Sequence, residues 1–426
     1  MHQKSVAQAL FAAFTLGLVG SAGASGFQLL EQNASGLGNA YAGSAVIGEN
    51  ASTVFYNPAA MTKLSGGNFS TGLSIIKPSY KFNNDGSSNA PAVTGSQGGD
   101  AGGWAALPNL YGTWQFSDRW VAGIGVGSPF GLKTEYENDW VGRFQSSTFD
   151  IKTYNVNPSL AVKASDSISV GLGLNYQRME AMYQRQAATQ HPTIPAANTT
   201  VQNTTVTLEA TSEAYGWNTG LTFKVSPTTD LGLSYRSKMF HHLEGTLNSS
   251  NQAVAANVFA KADITLPDMY IFSVSQQISD RWEMLGDVSR TNWRSVDKVD
   301  IVRTSGVASG QVAQTLDANF RDTWRIAFGG KYKIDDSWKW KYGLAYDQSP
   351  VRGTEERLVS LPDNNRYWFS TGVQWQLDKT SVIDIGAAYL YIPKSKIDAN
   401  QPGRGHVVGS YDGSIMIFGA QVTKTF

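Results

Sequence analysis

The chain has 426 residues with 34 basic and 34 acidic side chains, so no bulk positive charge argues for nucleic acid. Charged residues make up only 16% and aromatics 12%, against about 25% charged in an ordinary soluble protein. The absence of cysteine removes disulfides, thiol catalysis and cysteine-based zinc sites together, and fits an exported protein that does not rely on oxidation for stability.

Residues 1–24 read as a signal peptide. Lys4 and the amino terminus give a weakly positive start, Ala9 to Val19 is apolar, and Ala22-Gly23-Ala24 supplies the small-x-small cleavage pattern. Beyond it, no apolar run approaches the ~20 residues that a membrane-spanning helix needs. Residues 25–66 fit no ordinary element. Gly26, Gly36, Gly38, Gly43 and Gly48 interrupt any helical face, and strict alternation is missing. Asn57-Pro58-Ala59 adds a fixed turn, because proline sets its own φ and pushes Asn57 away from helix. Phe27, Leu29, Leu30, Leu37, Tyr41, Val54, Phe55 and Tyr56 nevertheless carry too much apolar surface for a solvated tail. This segment is expected to plug whatever residues 67–426 build.

Those residues repeat one unit: a strand end, a tight polar turn, then alternation. It stands at 115–126, 163–174, 224–235, 276–287, 333–344 and 376–389. After Asp166, Ile168, Val170, Leu172, Leu174 and Tyr176 alternate with Ser169, Gly171, Gly173 and Asn175. After Ser337, Trp338, Trp340, Tyr342, Leu344 and Tyr346 alternate with Lys339, Lys341, Gly343, Ala345 and Asp347. One apolar, aromatic face and one small or charged face is the pattern of strands between lipid and a polar lumen. A soluble sandwich with a dry core would alternate in the same way. Aromatics near strand ends (Trp104, Trp114, Trp120, Trp282, Trp338, Trp368 and Trp375) favour the membrane, as interfacial girdles. Longer connections rich in Gly, Asn, Ser, Thr and Pro fall at 83–103, 131–146, 187–206, 247–257, 293–319, 350–364 and 394–410. Six short turns and seven long loops predict an all-β fold: a fourteen-stranded antiparallel transmembrane barrel with an N-terminal hatch. The last strand, Ser410 to Phe426, ends on an aromatic residue.

Plug, barrel and motifs together resemble the FadL family of outer-membrane long-chain fatty acid transporters, which also contains channels for toluene-like hydrocarbons. The resemblance runs through Gly26 to Leu29, Ser35 to Gly43, Asn57-Pro58-Ala59, Ser128 to Tyr136, Phe320 to Gly329, Leu344 to Pro350 and Leu361 to Gly372. It implies a hatch in the lumen and a kinked third strand that opens a gap in the wall. It also implies capture of ligand at the extracellular loops and sideways release into the outer leaflet. Gly123, Gly125, Gly127, Pro129 and Gly131 crowd the third strand, where glycine and proline weaken ladder bonding, so Gly127, Pro129 and Gly131 are the candidate lateral gate.

Asn57, Pro58 and Ala59 are the candidate gating or docking turn of the hatch. In the family a residue such as Phe27 occupies the ligand pocket and moves when ligand arrives. Arg185 matches a carboxylate-binding arginine of the family and keeps the polar parity of its strand; the planar guanidinium suits a carboxylate. The family's partnering lysine before Phe320 is missing, since Leu316 stands there, which favours the hydrocarbon branch. Arg325 and Lys331 share a lumen-facing parity and could substitute, and Asp347 matches a wall position near the pocket.

No enzyme is expected. A hydrolase would need a nucleophile or carboxylate paired with histidine, and His191, His241, His242 and His406 sit in no such motif. His241 and His242 do not suit a metal, because adjacent strand residues point to opposite faces. The sequence therefore predicts a passive outer-membrane channel without cofactor or metal, a monomer in contact with lipid and lipopolysaccharide. Long-chain fatty acid is the leading ligand and a monoaromatic hydrocarbon the alternative. A general porin, or a surface adhesin or phage receptor, is the reading from another class.

Overall fold

The computed structural model describes residues 26–88, 94–189, 202–252 and 256–426. The expected leader, 1–24, and His191 lie outside them. Strands β1 (Gly67–Asn84) and β2 (Ala105–Gln115) lead into a broken β3 (Trp120–Gly127 and Gly131–Glu135). Next come β4 (Thr148–Lys163), β5 (Ile168–Thr189) and β6 (Gln202–Ser226). Four further strands are broken in two: β7 (Thr229–Arg236, Met239–Ser249), β8 (Val258–Leu266, Met269–Gln277), β9 (Trp282–Thr291, Lys298–Arg303) and β10 (Val312–Asp317, Thr323–Lys333). β11 (Trp338–Asp347), β12 (Arg366–Asp378), β13 (Ser381–Gln401) and β14 (Gly405–Thr425) complete fourteen strands. Each is antiparallel to its sequence neighbours, and β1 pairs with β14 from Asn68↔Thr425 to Asn84↔Gly409. The sheet is closed, so no edge is left unpaired at the seam.

Side-chain parity sets inside and outside. On β5, Ile168, Val170, Leu172 and Leu174 are exposed, while Ser169, Asn175 and Gln177 are buried. On β11, Trp338, Trp340 and Leu344 point out, whereas Lys341 and Asp347 are buried. An apolar exterior around a polar interior inverts the soluble pattern and requires lipid outside. His241 is buried against Gln177 and its neighbour His242 is exposed beside Asp263, on opposite faces as their adjacency demands.

Three expectations need correction. Trp368 is no girdle residue: it shares the inward parity of Arg366 and Ser370 and is 1% exposed. The supposed loop 394–410 is nearly all ladder, because β13 and β14 run on to Gln401 and from Gly405 and leave only residues 402–404 as a turn. The supposed loop 293–319 likewise contains the second half of β9 and the first half of β10. Polar composition on these stretches reports exposure to water, not loss of strand. β13 and β14 have 21 residues each, twice the roughly 9–11 that cross a bilayer, so their far halves stand clear on the long-loop side.

Candidate functional site

Residues 26–64 lie against the inward face of the wall. They contain a 3-10 turn (Leu37–Asn39), one α-turn (Thr53–Tyr56) and a 3-10 helix (Pro58–Lys63). Such short pieces cannot support themselves, and the wall supplies their partners. Asn57 has an extended backbone and caps the 3-10 helix by accepting from the Ala59 amide. Its Nδ2 donates to Ala45 O, Leu221 O and Leu233 O at 2.5, 3.1 and 3.2 Å, which pins the turn to β6 and β7. Pro58 and Ala59 are buried behind it, so the docking role of this turn is the one the contacts display.

Charge does the rest. Glu49 receives Lys331 at 2.6 Å and Lys341 at 3.2 Å, and Lys341 also meets Asp384 at 2.9 Å. Burial disfavours the Glu49 carboxylate, yet the two lysines hold its pKa well below the usual range. Asp287 accepts from the Ser44 amide and hydroxyl, and Arg236 donates to Phe55 O. The wall is also carved to fit. A Cβ on Gly171 would lie 2.3 Å from the Ala59 nitrogen, on Gly232 2.1 Å from Ala45 O, and on Gly343 2.2 Å from the Asn39 carbonyl carbon. These glycines make room for another backbone, a reason that strand periodicity does not reveal.

Above this segment lies a narrow apolar cavity. Ile151, Met179, Leu208, Leu243, Ile264, Ile301, Leu316, Phe320 and Leu361 line it, and Phe27 closes its inner end. Phe27 packs edge-on against Trp293 at 4.9 Å and against Phe130 at 6.0 Å. Trp293 reaches this place because β9 breaks around a 3-10 turn, Trp293–Ser295, that drives the indole inward. Wall breaks that look irregular in sequence thus shape the cavity.

Arg185 keeps inward parity beyond Tyr183, which lines the cavity. Its guanidinium donates to Gln186 O. The charges of Arg404 and Arg303 lie close enough to act on it. Arg404, from the β13–β14 turn, donates to Ala313 O, and Arg303 to Val312 O. None of the three stands within ion-pair distance of a carboxylate among the described residues. Three guanidinium groups, each on a backbone carbonyl, thus stand near one another beyond the Tyr183 end of the apolar cavity. Arg303 and Arg404 were not legible as site residues, since they come from β9 and a three-residue turn far apart in the chain.

The remaining candidates divide. Arg325 and Asp347 are opposite each other on β10 and β11 and line a small polar chamber with Gln28, Ser289 and Thr291. Arg325 donates to Ala40 O at 2.6 Å and lies over Trp368, so it holds the N-terminal segment rather than the apolar cavity. Lys331 is committed to Glu49 and Glu283. Glu31, in the same region of the segment, is 2% exposed, and its Oε2 finds no partner. Burial pushes its pKa up to about 7, only partly offset by its own backbone bond and by Arg366 and Arg325.

At the third strand, Gly127, Pro129 and Gly131 bracket the break. The ladder between β2 and β3 runs from Gln115↔Val121 to Leu110↔Val126 and ends there, whereas β4 pairs with both halves of β3. The strip between β2 and the second half of β3 is occupied by the N-terminal segment: the Leu29 amide donates to Pro129 O, and the Gly131 amide to Phe27 O, both at 2.8 Å. Gln28 and Phe130 face each other as a lone antiparallel bridge. Phe27, which lines the cavity, therefore also helps to seal the wall.

Comparison with known proteins agrees with this architecture. The family described as outer membrane protein transport protein (OMPP1/FadL/TodX) matches residues 16–426. A long-chain fatty acid transport protein of Escherichia coli O6:H1 is 28% identical over the whole of both chains. The crystal structure of a Pseudomonas aeruginosa FadL homologue, 23% identical, superposes with a TM-score of 0.85 over 94% of this chain and 100% of the other. That of the Pseudomonas putida toluene transporter TodX, 17% identical, gives 0.70 over 95% and 100%.

Proposed function

Since the chain belongs to the outer membrane protein transport family (OMPP1/FadL/TodX), a family of hydrophobic-compound transporters and channels rather than enzymes, we propose that its own cargo is long-chain fatty acid. In this reading residues 1–24 direct export, 25–66 act as a hatch, and 67–426 form the conducting barrel. Acids are captured on the long-loop side and enter the apolar cavity, with the carboxylate held at Arg185, Arg303 and Arg404. They leave sideways into the outer leaflet through the break in β3. The protein works as a monomer among outer-membrane lipid and lipopolysaccharide, since each barrel carries its own hatch.

The observation that carries the acid over a plain hydrocarbon is this group of three arginines. A toluene-like ligand would gain nothing from three unpaired cations, whose burial costs stability, whereas a carboxylate compensates them. The group also answers the missing lysine, because Arg303 and Arg404 bring cations from other strands. Each methylene buried in the cavity contributes about 0.8 kcal/mol before association costs. No ATP or ion gradient is needed, because lipid is a better solvent for the chain than water.

Sideways exit is supported by Phe27, which both lines the cavity and accepts from the Gly131 amide in the wall. A ligand that displaces Phe27 pulls on the two backbone bonds that fill the wall, so occupancy and opening are coupled. The base of the hatch, by contrast, is locked by Asn57, Glu49 and Asp287, which keeps the route to the periplasm shut. Gln28 and Phe130 form a non-hydrogen-bonded pair, the close geometry that suits a disulfide. In this cysteine-free chain a Gln28→Cys/Phe130→Cys variant should lose oleate uptake when oxidised and regain it on reduction. Equal uptake in both states refutes lateral release through this break. Binding of toluene and not oleate, indifferent to Arg185, would move the protein to the hydrocarbon branch.

A further inference from the structure

The break in β3 leaves the Ser128 carbonyl without a ladder partner from β2, and one side chain answers it. Gln32 Nε2 donates to Ser128 O at 2.7 Å and to Leu29 O at 3.1 Å. The main-chain carbonyl of Gln32 accepts from the Tyr111 hydroxyl at 2.8 Å, and Tyr111 belongs to β2. A single residue therefore ties the N-terminal segment to both banks of the break. Its Oε1 is buried without a partner and lies 2.5 Å from where a Cβ on Gly127 would stand. Gly127 does not have a left-handed backbone. Glycine is needed there to admit the Gln32 carboxamide, not to turn the chain.

We propose that Gln32 is the bolt of the lateral gate, a positioning residue that keeps the β2–β3 break closed until ligand arrives. The proposal rests on lateral release as read above. Its carboxamide replaces one missing inter-strand bond and its carbonyl anchors the opposite bank. Neither group touches the cavity, so the bolt controls opening without contributing to ligand affinity. The unpartnered Oε1 makes the closed state only partly satisfied, which suits a contact that must break in every transport cycle.

The chain has no cysteine, so one introduced thiol reports cleanly. Ser128→Cys places it in the break, where the native residue is 8% exposed and its hydroxyl is buried and unpartnered. In nanodiscs, modification by a bilayer-soluble maleimide should be slow without oleate and speed up when oleate is added. Adding Gln32→Ala should raise the ligand-free rate at least tenfold and remove its dependence on oleate, while oleate Kd shifts less than threefold. Gly127→Ala, which crowds the carboxamide out from the other side, should do the same and covers the case in which Gln32→Ala fails to fold. An unchanged ligand-free rate in both variants, or a Kd that moves as much as the rate, overturns the bolt. If Ser128→Cys alone ignores oleate and the disulfide staple leaves uptake intact, lateral release itself falls, and the two failures are distinguishable.

Discussion

Gly171→Ala tests how tightly the N-terminal segment is moulded to the wall. The new methyl would stand 2.3 Å from the Ala59 nitrogen and 2.4 Å from the Pro58 carbonyl carbon, and both are backbone. Neither neighbour can rotate away, and the opposing turn is fixed by three Asn57 bonds to Ala45, Leu221 and Leu233. Overpacking of this kind costs about 1–3 kcal/mol, and backbone against backbone places it at the upper end. A cost of about 3 kcal/mol raises the unseated fraction by roughly 100-fold. The barrel ladder is untouched, so the protein should still insert and resist heat in detergent. In planar bilayers the variant should spend about 100-fold more time in a high-conductance state, the outcome expected of a segment that acts as the proposed hatch. Gly103→Ala, with nothing within 4 Å of the added carbon, is the control. Open times within threefold of that control would refute the idea that the seated segment blocks the pore.

Three other expectations follow from the same contacts. Arg185→Ala should weaken oleate binding by roughly 10- to 100-fold, the loss of a charged hydrogen bond worth about 1.5–3 kcal/mol, and leave methyl oleate unchanged; fluorescence titration of both ligands checks it. Lys341→Met strands Asp384, which is 3% exposed, and leaves Glu49 with Lys331 alone, so hatch seating should weaken by about 3–5 kcal/mol and conductance should rise. Glu31 supplies a pH dependence. Its pKa is about 7 when seated and 4.5 when solvated, so the seated state binds more protons between these values. Seating is therefore strongest below pH 4.5 and loses up to about 3 kcal/mol as pH rises through 7. Arm mobility, read by spin labels at residue 28, should increase from pH 5 to pH 8, and Glu31→Gln should flatten the profile.

Strand number, closure and inward parity were legible because alternation is a local signal with period two. Lys341 and Asp347 were placed inside by counting alone, and Trp368 would have been too, had its parity outweighed its residue type. The third-strand break was legible from Gly127, Pro129 and Gly131. What fills the break was not, since Gln32 lies 96 residues from the carbonyl it caps. The same limit applies to Arg303 and Arg404. Each is an ordinary surface arginine until closure of the barrel brings β9 and the β13–β14 turn beside β5. Phe27 was legible by resemblance, whereas its partner Trp293 required a wall break that no periodicity marks. The stretches 293–319 and 394–410 read as loops because their strands leave the bilayer and carry polar residues outward, while Ile301, Leu316, Ile397 and Val407 face inward.

The seam between β1 and β14 joins the two ends of the barrel over 17 residue pairs. The segment that occupies the interior is the stretch immediately before β1, and it also touches the last strand, where the Ala34 amide donates to Gln421. On the other side of the seam the Ala51 amide donates to Ser70 of β1. The interior segment is therefore clasped by the first and the last strand at once, so its seating and the closure of the seam favour each other, and a substitution that loosens one should loosen the other.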